Sequence, residues 1–405
     1  MPRLHIGSRY DFDFLPIHCS SVHTAQRCKP EFTMTRELHI TALLGLAILL
    51  GMGGALSAQL DGATAAQWVL QSVALWALVW QQTWQRRHLN RLTPTAAPYP
   101  TLGLANRLTL LRGGLIAATG GFLLFPAFTG VIGWLPALLY SVAAILDRVD
   151  GFVARRTNST SLLGSELDTV FDALGLLVAP LLAVSYGKVH WSYLLVSVAY
   201  YLFQWGIHSR RRRGLPVYPL APSQLRRTLA GFQMGYVAVV LWPPLLAQVT
   251  VPAGFGFMVP LLLGFTVDWL VVSGRIRPEQ PGTANFFRRL ASFSNGIFQP
   301  ALRVILLFSL GALLTTTTQE TTTTAAQSIV VAVSCGAALL ILLGVAGRAG
   351  ALIVLMLLAW QPAAESLDPL SAVILFSAIG ILLLGCGRYS LWQGDDHWVN
   401  RQDGA

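Results

Sequence analysis

The sequence predicts an all-α polytopic integral membrane protein with about 12 transmembrane helices, because three of its features agree. Hydrophobic residues make up 54% of the chain, and Asp, Glu, Lys and Arg only 11%, against roughly 25% charged residues in soluble domains. The apolar residues fall into runs near the roughly 20 residues that a membrane-spanning helix needs. The net charge of +10 comes from basic residues between these runs, as the positive-inside rule expects. Nucleic-acid binding is therefore not implied.

The first 100 residues divide into a tail and a pair of membrane helices. Residues 1–37 are predicted to form an N-terminal tail, because residues 1–33 show neither periodicity nor the apolar core of a signal peptide. Met34 is a more conventional start for a membrane protein, so residues 1–33 are a candidate for an over-extended gene prediction. Residues 38–100 hold two predicted transmembrane helices, Leu38–Leu56 and Ala65–Trp80, and a basic linker that includes Gln85–Leu92.

The rest of the chain is predicted to contain two further membrane regions joined by a linker. Residues 101–277 form a six-helix core, residues 278–297 a linker rich in Gly, Pro, Ser, Asn and Arg, and residues 298–405 a C-terminal region of about four helices. The predicted core spans are Leu111–Pro126, Ile132–Ala144, Val170–Tyr186, Tyr193–Ile207, Gly231–Ala247 and Phe255–Val272, and the C-terminal spans are Ala301–Leu314, Ile329–Ala346, Ala351–Trp360 and Leu370–Leu384.

Basic residues alternate between the connections and so predict the orientation. His208–Arg227 contains the run RRRR, Gly274–Arg289 carries four further arginines, and Gln248–Gly254 carries no basic residue. Both termini and the loops near residues 85–92, 148–164, 208–227 and 274–298 are therefore predicted to face the cytoplasm. The Thr-rich segment 315–324 is predicted to lie outside. The expected location is a bacterial-type inner (plasma) membrane.

Four aspartates lie where apolar segments are predicted to enter and leave the membrane, a costly position for a carboxylate unless it has a function. Asp147 and Asp150 are three residues apart, and Gly164, Asp168 and Asp172 are four and eight residues apart, so each set lies on one helical face. Two antiparallel helices joined near residues 157–161 would bring the four carboxylates together. Such an all-oxygen group suits Mg²⁺ or Mn²⁺.

A second polar pattern precedes the aspartates. In Leu104–Arg112, the residues Asn106, Thr109 and Arg112 recur at a spacing of three. This spacing predicts an amphipathic helix on the membrane surface that leads into the next span. The pattern is also typical of a cytoplasmic anchor.

The aspartate region resembles the signature of the CDP-alcohol phosphatidyltransferases, D-x2-D-G-x2-A-R-x8-G-x3-D-x3-D. All of its fixed positions are present, as Asp147, Asp150, Gly151, Ala154, Arg155, Gly164, Asp168 and Asp172. The segment LANRLTLLR resembles the N-x-L-T-x-x-R sequence that lies ahead of the signature and near the nucleotide in this family.

The resemblance implies a membrane enzyme of phospholipid biosynthesis that transfers a substituted phosphate group. A CDP-linked lipid such as CDP-diacylglycerol would give its phosphatidyl group to a small alcohol or phosphorylated alcohol, and CMP would leave. Two Mg²⁺ or Mn²⁺ ions would be held by Asp147, Asp150 and Asp168, and Asp172 would be a further ligand, the general base, or both. The implied nucleotide- or substrate-binding residues are Asn106, Thr109, Arg112, Gly151, Ala154, Arg155 and Gly164. The implied partners also include membrane lipids and a second copy of the chain in a homodimer.

Two other functions compete with this interpretation. Aspartate-rich membrane prenyltransferases also bind diphosphate through Mg²⁺, but they lack the G-x2-A-R element. A transporter could carry acids on an ion path, but there the acids would lie at mid-membrane. In the C-terminal region, Ile381–Trp392 resembles the tail of the DoxX-like membrane proteins, and the role of these helices and the acceptor alcohol are left open.

Overall fold

The structure is a computed structural model that describes residues 24–157, 159–221, 223–319, 325–359, 367–392 and 394. In chain order its α-helices are α1 Thr24–Leu56, α2 Gly62–Arg86, α3 Leu104–Gly120, α4 Leu135–Arg156, α5 Leu162–Ser185, α6 Leu194–Arg212, α7 Gln224–Val240, α8 Ala247–Val272, α9 Pro281–Phe293, α10 Gln299–Gln319, α11 Ala325–Leu343, α12 Gly347–Ala359 and α13 Pro369–Leu384. No β-strand is formed among these residues.

The helices confirm the predicted all-α polytopic membrane protein. Six helical segments of the described chain are long and apolar enough to cross a membrane, judged by length and composition, and three shorter apolar helices follow. The predicted total of about 12 crossings stays a prediction.

Hydrogen bonds between the connecting segments define two ends of the helix bundle. At the site end, the backbone N–H of Leu162 donates to the carbonyl of Arg91 at 2.9 Å, and Arg210 Nη2 donates to the carbonyl of Ser273 at 3.2 Å. At the far end, Lys188 Nζ donates to the carbonyl of Pro243 at 3.1 Å. Burial lowers the pKa of Lys188. The cytoplasmic orientation of the site end stays a prediction, which the loop charges support because the far-end loops 57–61, 121–131, 186–193 and 241–246 carry Lys188 as their single Lys or Arg residue.

The N-terminal helix pair packs directly on the core. Trp76 on α2 donates its indole N–H to the carbonyl of Ala42 on α1 at 3.0 Å, and its ring lies against Gly114 on α3. Glu37 on α1 accepts from the backbone N–H of Leu102 at 2.9 Å. These contacts fix the position of α3, which carries part of the candidate site.

Many predicted boundaries differ from the structure: α3 is shifted toward the N-terminus, and α4, α5 and α8 extend beyond the predicted spans. Three further differences concern the ends and linkers of the predicted regions. Helix α1 begins at Thr24, inside the segment predicted as a tail, while residues 1–23 lie outside the described residues. Helix α7 ends at Val240 rather than near Ala247, because Pro243 and Pro244 cannot donate backbone hydrogen bonds. The predicted linker 278–297 is mostly helical, since it contains α9 and the π-helix Ser294–Phe298.

The C-terminal helices pack on α7 and α8. Gly256 on α8 admits the side chain of Ile379 on α13, whose Cδ1 lies 2.8 Å from where a Cβ on Gly256 would stand. An apolar cavity of about 260 Å³ lies between α7, α8, α12 and α13.

Within the C-terminal region the buried Arg303 donates to the carbonyls of Ile341 at 2.9 Å and Tyr389 at 3.0 Å. This contact ties α10 to α11 and to the segment after α13. Residues 320–324 of the Thr-rich segment lie outside the described residues.

Candidate metal and substrate site

The acidic residues lie on the C-terminal half of α4 and the N-terminal half of α5. Ser161 caps α5, since its hydroxyl accepts from the backbone N–H of Gly164 at 3.0 Å. Helix α4 ends at Arg156 and α5 begins at Leu162, and the two helices are in contact. One carboxylate oxygen from each of Asp147, Asp168 and Asp172 then lies within 4.8 Å of the others. The expected convergence of the acids is thus seen for three of the four residues.

The fourth acid, Asp150, is placed differently. It is not part of the group that lies within 4.8 Å, and its side chain is only 7% exposed. Thr109 Oγ1 on α3 donates to Asp150 Oδ2 at 2.9 Å. The structure therefore holds Asp150 against α3, one turn of α4 away from Asp147.

Arg112 lies at the centre of these acids, and no part of its side chain is exposed. Its guanidinium Nη1 contacts Asp147 Oδ1, lies 2.9 Å from Asp168 Oδ1 and lies 3.9 Å from Asp150 Oδ2. Its Nη2 lies 3.1 Å from Asp172 Oδ1. We call Asp147, Asp150, Asp168 and Asp172 the acidic cluster.

The expectation of an amphipathic surface helix at Leu104–Arg112 is wrong. Asn106, Thr109 and Arg112 are 3%, 4% and 0% exposed, and they belong to the continuous buried helix α3. The polar face is turned inward because each side chain has polar partners on α4, α5 or the preceding loop, which offset the cost of burial.

Asn106 is held by a network that the sequence did not indicate. Its amide nitrogen donates to Asn90 Oδ1 at 3.1 Å and to the carbonyl of Leu102 at 2.7 Å. Its amide oxygen accepts from Ser161 Oγ at 3.2 Å. Gly164 faces this oxygen, because a Cβ on Gly164 would stand 2.7 Å from it. Ser161 could have been found as an N-cap before an apolar helix, but no pattern marked Asn90.

The remaining signature residues line the end of α4. Gly151 and Ala154 are partly buried, and Arg155 and Arg156 are exposed. Arg155 folds back along its own helix, so that its Nη1 lies 3.3 Å from where a Cβ on Gly151 would stand. These residues follow Asp150 toward the exposed C-terminal end of α4.

The donor set fits a hard divalent cation. All ligand atoms of Asp147, Asp168 and Asp172 are carboxylate oxygens, which Mg²⁺ and Mn²⁺ prefer. The side chains of Asp168 and Asp172 are 48% and 37% exposed, so an ion could reach them from the site end.

Another acid at this end pairs with a basic residue of a neighbouring helix. Arg226 on α7 contacts Asp268 near the end of α8, with Nε 2.7 Å from Oδ2 and Nη2 2.9 Å from Oδ1. This ion pair joins α7 to α8 outside the acidic cluster.

Comparison with known proteins finds a family model that matches the core. Residues 102–267 match the family model described as CDP-alcohol phosphatidyltransferase. The matched residues include the acidic cluster and the whole of α3. The match lies inside the predicted core of residues 101–277.

Individual relatives agree with this match. A CDP-diacylglycerol–glycerol-3-phosphate 3-phosphatidyltransferase of Blochmanniella floridana is 35% identical over 106 residues, which cover 24% of this chain and 51% of the relative. The chain thus spans about half the length of that relative. Proteins assigned as cardiolipin synthases in Mycobacterium tuberculosis and Mycobacterium bovis are 27% identical over 177 residues, which cover 42% of this chain and 79% of theirs. No solved structure matches the chain. The DoxX-like resemblance of the C-terminal end stays a prediction.

Proposed function

We propose that this protein transfers a phosphatidyl group from a CDP-linked lipid, such as CDP-diacylglycerol, to an alcohol and releases CMP. The observation that carries the proposal is the convergence of Asp147, Asp168 and Asp172 within the residues that match the CDP-alcohol phosphatidyltransferase family model. We assign residues 101–277 as the catalytic core and residues 298–405 as a separate membrane region.

The acids supply the metal site and the base of this reaction. Asp147, Asp168 and Asp172 hold Mg²⁺ or Mn²⁺, and Asp150 completes the cluster from its place beside Thr109. When bound, two divalent ions neutralise the diphosphate and stabilise the attacking and leaving oxygens. Asp172 also accepts the proton of the acceptor hydroxyl. The acceptor oxygen bonds to the phosphorus that carries the lipid, the bond from that phosphorus to CMP breaks, and the proton leaves through Asp172.

The neighbouring residues bind and orient the donor. Gly151 and Ala154 leave room for the cytidine diphosphate beside α4, and Arg155 offers cationic donors to phosphate oxygens at the exposed rim. Asn106 and Thr109 are buried and bonded to protein groups, so we assign them the task of holding α3 and Asp150 in place. Gly164 serves the same purpose by admitting the Asn106 side chain.

The position of the site suits a lipid donor and a soluble acceptor. The acidic cluster lies at the end of the bundle that carries the basic loops, which we place at the cytoplasmic face of an inner membrane. There the acyl chains of the donor stay in the bilayer while the diphosphate meets water-soluble groups. Glycerol 3-phosphate is the first acceptor to test, since it is named in the Blochmanniella relative.

The proposal is tested with purified protein in detergent micelles that contain CDP-diacylglycerol. CMP release is followed with glycerol 3-phosphate, phosphatidylglycerol, inositol, inositol phosphate or serine as the acceptor, each with and without Mg²⁺ or Mn²⁺. We expect CMP release with one class of acceptor, dependent on the cation and lost in Asp168→Asn. If a folded protein that binds Mn²⁺ releases no CMP with any of these acceptors, the proposed reaction is wrong.

A further inference from the structure

Arg112 contacts every member of the acidic cluster and has no exposed surface. Its two terminal nitrogens contact different residues. Nη1 contacts Asp147 and Asp168. Nη2 contacts Asp172 and donates to the backbone carbonyl of Asp168 at 3.0 Å. The distance from Nη1 to Asp150 is 3.9 Å. A single side chain of α3 thus joins the acidic residues of α4 and α5.

The net charge of the acidic cluster explains why a positively charged side chain is needed there. Four carboxylates and one guanidinium carry a net charge of −3 when all are ionised. Without the guanidinium, the like charges would repel one another in a partly buried space, where water screens them weakly. A planar guanidinium suits this position because its fixed donors can serve several carboxylates at once.

Three of the carboxylates that Arg112 contacts belong to the residues that could hold a metal ion. We propose that Arg112 is a resident counter-ion of the acidic cluster, which holds the cluster together without metal and weakens the binding of divalent cations to it. This proposal rests on the proposed function in taking the cluster as a metal site. Arg112 is accordingly a positioning residue, and the divalent ions bind against its charge.

The other candidate role for Arg112 is contact with the nucleotide, as the N-x-L-T-x-x-R resemblance implies. The two roles predict opposite effects on metal binding. Loss of a nucleotide-binding arginine would weaken the binding of CDP and leave the binding of Mn²⁺ alone unchanged. Loss of a counter-ion would change the binding of Mn²⁺ in the absence of any nucleotide. The complete burial of Arg112 behind the carboxylates favours the second role.

The test compares Arg112→Gln with Arg107→Gln in detergent without substrate. Arg107 lies on the same helix but is 54% exposed and pairs with Glu37 at 3.2 Å, away from the cluster. Mn²⁺ affinity is measured by electron paramagnetic resonance, and thermal unfolding by tryptophan fluorescence in chelator and in Mg²⁺. For Arg112→Gln we expect Mn²⁺ to bind about tenfold more tightly, because a positive charge near the ion is removed. We also expect a lower midpoint in chelator and a larger rise with Mg²⁺, whereas Arg107→Gln should change neither the affinity nor the rise.

A second variant separates charge from packing. Arg112→Gln combined with Asp168→Asn restores the net charge of −3, so its unfolding midpoint in chelator should recover most of the loss, even if Arg112→Gln alone fails to fold without metal. Unchanged or weaker Mn²⁺ binding by a folded Arg112→Gln variant would overturn the proposal. So would a double variant that stays as unstable as the single one. Neither measurement uses CMP release, so a failure of the proposed reaction is distinguishable from a failure of this inference.

Discussion

Gly164→Ala provides a sharp test of the network behind the acidic cluster. The added Cβ would stand 2.7 Å from Asn106 Oδ1 and 3.3 Å from Ser161 Oγ. To reach an ordinary contact distance, the amide oxygen must retreat by about 0.7 Å. It cannot swing away freely, because the Asn106 amide nitrogen is bonded to Asn90 and Leu102.

The expected cost follows from these bonds. Weakening buried hydrogen bonds costs about 1–3 kcal/mol, and replacing glycine by alanine inside a helix returns about 0.5–1 kcal/mol. The midpoints of these two ranges give a fall in the free energy of unfolding of about 1 kcal/mol, with an upper bound of about 2.5 kcal/mol. Asn106 lies one turn before Thr109, which holds Asp150. A shift of this size should lower CMP release by roughly ten- to a hundredfold.

Thermal unfolding and CMP release are measured for Gly164→Ala and for Gly264→Ala, a matched control on α8 where an added Cβ meets no atom within 4 Å. The control should keep CMP release and should raise the free energy of unfolding by about 0.5–1 kcal/mol. In an Asn106→Ala background the clash is gone, so Gly164→Ala should cost nothing further. An equal cost in both backgrounds, or wild-type behaviour of Gly164→Ala, would refute the reasoning.

Four further outcomes follow from the site and the fold. Chelation should abolish CMP release, and Mg²⁺ or Mn²⁺ should restore it, because the carboxylates need cations to bind a diphosphate. Asp168→Asn and Asp147→Ala should each lower CMP release roughly a hundredfold or more and leave membrane insertion unchanged, as measured by extraction with carbonate. In a cysteine-free background, a cysteine at Thr318 should be labelled only from outside and one at Ser223 only from the cytoplasm. A chain that ends at Glu279 should insert and release CMP, with a lower unfolding temperature than the full chain.

Each of these outcomes has a result that contradicts it. Full CMP release in chelator would contradict the proposed metal site. Near-normal CMP release from either aspartate variant would contradict the assignment of that residue to the site. Labelling of the cysteine at position 318 from the cytoplasm would contradict the predicted topology. A folded truncated chain that binds Mn²⁺ and CDP but transfers to no acceptor would show that the C-terminal helices complete the active site or a dimer.

The sequence predicted what depends on local spacing. The i,i+3 and i,i+4 spacings placed Asp147, Asp168 and Asp172 on two facing helix surfaces, and the short turn with a Ser161 cap brought them together. Apolar runs located each of the long helices because the membrane demands a minimum apolar length. They did not locate the helix ends, since α4 ends at Arg156 rather than Ala144, and α5 begins at Leu162 rather than Val170. The helix ends were predicted less well where proline or glycine stops a helix inside an apolar run, as at the end of α7.

What depends on packing between distant segments could not be predicted. The spacing of Asn106, Thr109 and Arg112 describes one polar face, but spacing cannot say whether that face meets water or buried acids. Only the three-dimensional arrangement of α3 beside α4 and α5 shows that it meets acids. Likewise, nothing in the sequence near Asn90 indicates that it holds Asn106.

The helices added on either side of the core relate to the site in different ways. Helix α2 presses Val79 against Gly113 and Trp76 against Gly114, the two residues that follow Arg112 on α3. The N-terminal pair therefore supports the helix that carries the counter-ion, and a change in α2 should reach the acidic cluster through α3. Helices α12 and α13 instead contact α7 and α8, which carry no member of the cluster. Their packing is dominated by apolar side chains around the shared cavity, which lipid tails can replace in a membrane. Loss of the C-terminal region should thus affect stability first, whereas loss of the N-terminal pair should affect metal binding and catalysis together.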